Sequence, residues 1–369
     1  MKINIIKLVP KNWLIKDLGD KIEVTYKSKR GNYNRKAFVF PKEICMNEKF
    51  MEGIGLYLGD GDLNRKEKGH LGYCSKDKDI AKYAFSFLQS YFNVKIKDIT
   101  FLVQYKTKNK KLKEEWASYL SISKEKILTR FSDRHRNECL QIQVNGVVFR
   151  KIFELVIKEA LKKDFINNKK LRRGILRGLF AAEGNIGIDY IEKKPYISQI
   201  DFNLHINENK IKDYICKILE LENIGYRISK DEKDNSLVVS ISNWNNYLKL
   251  WKINIFDLCK RKKNKFEEIC LNLNIHFNFN NKFREEFFKS LNIYQKDIAK
   301  IIGSWQANVS RTIDGIHLLK VGQLNKLLPY SNFTKKEILN NLDYIRIGSL
   351  TNLKPNKDIL EFLKTFKSF

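Results

Sequence analysis

The chain has 369 residues, with 70 Lys and Arg against 42 Asp and Glu, and a formal charge of +28 at pH 7. That excess of base calls for a polyanionic partner, while 43% hydrophobic residues can fill the cores of about two to three domains. Six cysteines without a CxxC pair argue against a zinc site and for reduced thiols. With no signal peptide and no apolar run of about 18 residues, a cytoplasmic or organellar-matrix protein with no membrane partner is expected.

Residues 1–46 predict an N-terminal β-hairpin extension. Its strands are Lys21–Ser28 and Asn34–Phe40, joined through the basic turn Lys29-Arg30-Gly31-Asn32-Tyr33. A first unit spans 47–165. Asn47 is placed to cap a helix ending Gly53-Ile-Gly-Leu-Tyr-Leu-Gly-Asp60-Gly61, with Glu48 in its first turn. A strand, a basic turn at 65–69 and a strand His70–Ser75 are expected next. Ile80, Tyr83, Ala84, Phe87, Leu88, Tyr91 and Phe92 then recur at helical spacing. Phe101–Tyr105 reads as a strand, 106–136 as a basic, partly helical insertion, Cys139–Asn145 as a strand and Val148–Leu161 as a helix.

A second unit, 166–279, repeats the order. Asn167 or Asn168 caps a helix ending Leu176-Arg-Gly-Leu-Phe-Ala-Ala-Glu183-Gly184. Tyr196–Asn207 is a long strand, and Ile211, Tyr214, Ile215, Ile218 and Leu219 mark a helix. Tyr226–Lys230 and Ser236–Ser242 form a hairpin, and Tyr247–Cys259 and beyond is helical. The internal repeat predicts a pseudo-twofold molecule.

The two capped runs share a pattern. Gly55/Gly59 and Gly178/Ala182 put small residues four apart on one helix face, where two backbones can approach closely. Each run ends in a carboxylate followed by glycine, and glycine there commonly serves as a left-handed stop. A carboxylate in the last turn is disfavoured by the helix dipole by about 0.3–1 kcal/mol. Two at matching places call for a compensating cation, and packing the helices side by side would bring both acids to one end of the seam. A hard cation such as Mg²⁺ suits those oxygens.

Gly53–Gly61 and Leu176–Gly184 resemble the two copies of the motif of the LAGLIDADG homing endonucleases, with Asp60 and Glu183 in the acidic slots. The resemblance implies an α+β fold of two αββαββα repeats whose four-stranded sheets form a saddle over the DNA major groove. It implies an Mg²⁺ site made by Asp60 and Glu183 together with Gly59 and Ala182, and a staggered break in double-stranded DNA. Paired metals would activate water, stabilise the pentacoordinate phosphate and stabilise the leaving oxygen. The family often adds a lysine after the second strand of each repeat. Lys76 matches in Ser75-Lys76-Asp77, whereas Asn207 stands at the second position. Either Lys210 or Lys193 substitutes there, or that centre is slower.

Two strands alternate. Ile200, Phe202, Leu204 and Ile206 oppose Gln199, Asp201, Asn203, His205 and Asn207; Ile142 and Val144 oppose Gln141, Gln143 and Asn145. One face is core. The Gln- and Asn-rich face suits adenine in the major groove; a polar solvent face would more often carry Lys, Glu and Thr, although this chain is Asn-rich throughout.

From 280 to 369 a small all-α module is expected. Gln295–Gly315 has the spacing of a phage-repressor helix-turn-helix, with Ala299 at the helix crossing, Gly303 in the turn and Val309 as anchor. A recognition helix from about Trp305 to Ile313 would offer Gln306, Asn308, Ser310 and Arg311 to DNA. The ends of the chain, Met1 and Ser368-Phe369, lack the His-Asn and nucleophile that protein splicing needs. The reading is a single-chain endonuclease, monomeric, with a long asymmetric site. A non-cleaving regulator that joins a LAGLIDADG-like domain to a helix-turn-helix, and an RNA maturase with intron RNA as partner, remain as alternatives.

Overall fold

The computed structural model describes residues 1–27, 35–61, 70–106, 111–133, 138–162, 164–191, 194–232, 234–347 and 351–366. The N-terminal segment carries β1 (Lys2–Asn4), β2 (Leu14–Asp17), β3 (Lys21–Thr25), β4 (Phe38–Pro41) and β5 (Glu43–Cys45). β2, β3 and β4 form an antiparallel sheet in that order, and β1 pairs with β5. The β3–β4 pair is the expected hairpin. Its basic turn, 29–33, lies outside the described residues.

The first unit runs α1 (Glu48–Asp60), β6 (His70–Ser75), α2 (Lys78–Phe92), β7 (Ile99–Tyr105), α3 (Leu112–Leu120), β8 (Ile127–Phe131), β9 (Cys139–Asn145) and α4 (Val147–Lys162). The second runs α5 (Lys169–Glu183), β10 (Gly184–Ile191), β11 (Lys194–His205), α6 (Asn209–Leu221), β12 (Arg227–Asp231), β13 (Ser236–Ile241), α7 (Trp244–Lys252) and α8 (Lys260–Asn272). Their sheets have the orders β6-β9-β7-β8 and β10-β11-β13-β12. β6, β9 and β7 therefore correspond to β11, β13 and β12. The strand expected near 62–64 lies outside the described residues, but Gly61 bridges to Tyr73 much as Gly184 pairs with Phe202. The basic insertion is more than an insertion. Its β8 joins the sheet parallel to β7, with α3 as the crossover that a parallel pair needs. Helix continuity from Tyr247 also fails, because α7 stops at Lys252 and Asn254 takes a left-handed φ of 57° before α8 begins.

α1 and α5 lie side by side at the centre. A Cβ on Gly55 would strike the Ile175 carbonyl, one on Gly178 the Glu52 carbonyl, and one on Gly174 the Glu48 carbonyl. Only glycine lets these backbones touch. Arg177 of α5 crosses the seam. It donates to Glu52 at 2.7 Å and to the Ile253 carbonyl at 3.0 Å, and it also meets Glu48. Tyr83 donates to the other Glu52 oxygen at 2.9 Å, so this buried pair is hydrogen-bonded at both ends. Asn47 caps α1 by accepting from Phe50 at 2.8 Å, and Asn168 caps α5 by accepting from Lys170 and Leu171.

The glycines after the two helices are not left-handed. Gly61 has φ −78° and Gly184 φ −74°, both extended. Their small size is needed because a Cβ would run into the Tyr57 and Phe180 rings and carbonyls respectively. The same replacement of torsional need by lack of room occurs in both units.

The C-terminal module is not all-helical. It comprises β14 (Ile275–Phe279), α9 (Asn281–Ser290), α10 (Gln295–Ile302), α11 (Gln306–Ile313), β15 (Leu319–Lys320), α12 (Val321–Leu327), α13 (Lys335–Asn340), β16 (Leu342–Ile347), β17 (Thr351–Leu353) and α14 (Lys357–Phe366). A sheet of order β15-β14-β16-β17 supports the helices. The alternation of Ile275, Phe277 and Phe279 with polar residues gives β14 one buried face, which draws it into that sheet. α14 leaves the module and packs on α7. Phe362 lies 5.9 Å from Trp244 and 5.7 Å from Trp251, and Lys252 pairs with Asp358. Among the described residues no helix is long and apolar enough to cross a membrane.

Candidate active site

The paired helices end together. A Cβ on Gly59 would meet the Ala182 Cβ and would lie 3.4 Å from Glu183 Oε1, so the Glu183 carboxylate sits over the residue preceding Asp60. Asp60 and Glu183 open into one cleft of about 600 Å³, whose walls include Lys76, Asp77, Asn203 and Lys262. Burial pushes Asp60 up to about 6, with the Asp77 charge adding to it and Lys262 and Lys76 opposing. Burial pushes Glu183 up to about 7, followed by the charges of Asp60 and Glu208. Two acids are thus held close together at helix C-termini, where the dipole also repels them.

Lys262 is the cation that sequence reading missed. It is only 3% exposed, and its ammonium donates to the Phe180 carbonyl at 2.6 Å and the Ala181 carbonyl at 2.7 Å, closing the end of α5. Burial brings its pKa down to about 8 even though Asp60 and Asp77 favour the charge. Its neighbour Arg261 grips Asp77 with Nε at 2.8 Å and Nη2 at 3.0 Å. Burial would raise Asp77, but those two bonds and the Arg261 charge outweigh it and hold the carboxyl low. The first turn of α8 thereby fastens the second unit to the first, directly beneath the acids. In sequence, Lys260-Arg-Lys-Lys reads as a solvated charge run, and nothing in its spacing marks the third residue as buried.

The remaining expected residues divide. Lys76 is exposed on the rim of the cleft. Lys210 is exposed at the start of α6 and is not among the residues lining the cleft, while Lys193 lies outside the described residues. Gln141, Gln143 and Asn145 share the outward face of β9. Gln104 donates to Gln141 at 3.1 Å, and Asn145 donates to Thr100 at 2.8 Å. Gln199, Asn203, His205 and Asn207 are exposed on or just beyond β11. Asp201 is not. It is 4% exposed and accepts from Gln199 at 3.1 Å, and burial raises its pKa against hydrogen bonds from Ser240, Gln199 and Asn185. Its Oδ1 is buried without a hydrogen-bond partner, and its burial sets it apart from the exposed Gln199 and Asn203 on either side. The alternation of β11 is also not strict from Tyr196. The register shifts between Gly187 and Ile188, so that Gln199 faces Gly187 and Ile197 faces Ile188, and Ser198 is the extra residue.

In the C-terminal module Gly303 is left-handed at φ 66° between α10 and α11, where the turn requires it. Val309 is buried, Gln306 and Arg311 are exposed, and Asn308 and Ser310 are half-buried. Asn308 donates to Ser304 at 3.5 Å.

For a metal, the fit rests on donor chemistry. Among the described residues no group of three or more His, Cys, Asp or Glu could hold an ion. The two carboxylates are a hard-oxygen pair suited to an ion that keeps most of its water, as Mg²⁺ does. Gly59 and Ala182 face one another across the seam beside them.

No family model and no curated protein matches the chain. Among solved structures it is similar to variants of the homing endonuclease I-DmoI, at 12% identity over 56% of this chain and 94% of that one, TM-score 0.34. It is similar to the I-LtrWI LAGLIDADG homing endonuclease bound to target DNA, at 12% identity over 60% and 89%, TM-score 0.33. It is also similar to full-length DUF199/WhiA from Thermatoga maritima, at 10% identity over 79% and 94%, TM-score 0.34. All three likenesses are distant in sequence and in shape.

Proposed function

We propose that the chain is a LAGLIDADG-type endonuclease that cuts both strands of a specific DNA site with Mg²⁺. The observation that carries this reading is the delivery of Asp60 and Glu183, by two glycine-packed helices, to one cleft where burial disfavours their negative charge. In that cleft the bound ion would supply Lewis acidity and a nucleophilic water at neutral pH. Asp60 and Glu183 would hold it through their oxygens. Lys262 fixes the end of α5 and hence the reach of Glu183. Lys76, on the rim, would meet a scissile phosphate or the attacking water.

The outward faces of β9 and β11, with Gln141, Gln143, Asn145, Gln199, Asn203, His205 and Asn207, would read base edges in the major groove as a saddle. α11 would extend the contact through Gln306, Asn308, Ser310 and Arg311 in helix-turn-helix fashion. Both acids come from one chain, so a monomer suffices, and the unlike halves favour an asymmetric site.

The test is cleavage of a randomised duplex library with Mg²⁺, followed by Asp60→Asn and Glu183→Gln on the recovered site. Each variant should lose cleavage at least a hundredfold and bind within about threefold of wild type. Retained cutting by both would sink the assignment, and tight binding without cutting by the wild-type chain would favour a regulator.

A further inference from the structure

A second polar cleft, of about 520 Å³, lies in the C-terminal module between its sheet and its helices. On the sheet side three basic residues stand in one row. His276 of β14 is the register partner of Lys320 of β15 on one side and of Arg346 of β16 on the other. Direct antiparallel partners project from the same face with Cβ atoms about 4.5–5.5 Å apart, and like charges so placed repel. All three side chains line the cleft, and from the helix side Ser304, Asn308 and Thr312 face them.

No carboxylate relieves this row. Among the described residues no Asp or Glu lines the cleft, and none forms an ion pair with Lys320 or Arg346. Arg346 donates Nε to Asn352 at 2.9 Å, a neutral partner that orients the guanidinium and leaves its charge uncompensated. His276 Nδ1 is buried without a hydrogen-bond partner. Burial, and then the charges of Lys320 and Arg346, hold His276 below its ordinary range. A chain that had only to fold would gain by placing an acid in this row. The row therefore presents positive charge to an anion that enters the cleft.

We propose that this cleft binds a phosphate group, with Lys320 and Arg346 supplying charge, His276 a ring N–H, and Ser304 and Asn308 neutral hydrogen bonds. Arg346 offers the planar fork that matches phosphate oxygens, and Lys320 a mobile point charge. Asn308 belongs to both α11 and the cleft, so a phosphodiester of the DNA backbone seated here would fix the depth and angle of α11. A free phosphate ester would satisfy the same donors, and the two sources are separable. The site concerns the C-terminal module alone and does not depend on the carboxylate pair.

The experiment uses the full chain carrying Asp60→Asn, so that cleavage is absent from every readout, with and without Lys320→Gln and Arg346→Gln together. Inorganic phosphate should raise the melting temperature saturably at constant ionic strength set with chloride, and the double variant should lose that response. If the DNA backbone is the ligand, the double variant should also lower the slope of log affinity against log salt by about 0.9, the loss of one phosphate contact. Loss of the phosphate response with an unchanged slope assigns the cleft to a free phosphate ester. Identical phosphate responses and identical slopes in the two chains would overturn the proposal. Should the double variant fail to fold, His276→Gln is read in its place, and it should lose most of the phosphate response.

Discussion

Asp60 and Glu183 show how far a residue can be read before its surroundings are known. Their pairing was legible, because two acids in the last turns of two similar small-residue helices break the same local rule in the same place. Their partner was not. Lys262 lies some eighty residues beyond Glu183 in a run of four bases, and only the fold turns that one ammonium inward onto the Phe180 and Ala181 carbonyls. Asp201 differs in the other direction. Period-two alternation places it with Gln199 and Asn203, but unlike them it is buried. The raised acids carry a stability consequence with a definite sign. Their folded pKa values, about 6 and about 7, exceed the ordinary 3.8 and 4.5. The folded state therefore holds their protons to higher pH than the unfolded chain does. Their contribution is least unfavourable below about pH 4 and worsens as pH rises to about 7. Without divalent metal, Asp60→Asn should raise the melting temperature at pH 8 and leave it nearly unchanged at pH 4. A variant that melts lower at pH 8 would contradict the strained-acid account. Adding Mg²⁺ should stabilise the wild-type chain at pH 8 and the variant less, measured by the same melting curves.

Among the elements, α1 and α5 decide the rest, and their glycines are where the packing can be tested. The Cβ of Gly178→Ala would collide with the Glu52 carbonyl and the Leu56 amide nitrogen, which are backbone atoms with little freedom to give way. The cost should be about 1–3 kcal/mol, read from urea unfolding. Gly322→Ala in α12 meets nothing within 4 Å and should stabilise by about 0.4–1 kcal/mol. Equal effects at the two positions would mean that the helices are not pressed backbone to backbone. The two helices were readable because spacing by four is visible in a string of letters. β8 and the four-stranded sheet of the C-terminal module were not. β8 shows a fully exposed Leu128–Phe131 stretch with no alternation to mark it, and β14 is five residues in the shadow of a helix–helix pattern. Strands of that kind are defined by the partner they find.

At the scale of the molecule the charge of +28 is the dominant fact, and it predicts how binding should fail. If DNA is held mainly through its phosphates, affinity should fall by about 10³–10⁵ between 50 and 200 mM salt, measured by titration of labelled duplex. A flat response would remove the polyanion reading that composition alone suggested. The order of the two units was legible from the internal repeat, but the course of residues 350–369 was not. Sequence reads that stretch as helical at its end and says nothing of where it packs, whereas α14 returns to α7 and sets Phe362 and Phe366 against Trp251.

That return changes how the C-terminal module is carried. It is suspended from two anchors, α8 on entry and α14 on exit, like a gate hung on a pair of hinges, and it cannot swivel as a bead on a single thread would. On the proposed reading, the stretch of duplex under the saddle and the stretch under α11 must then keep a set rotational phase. Five base pairs inserted between them, half a turn of the double helix, should weaken binding more than ten do.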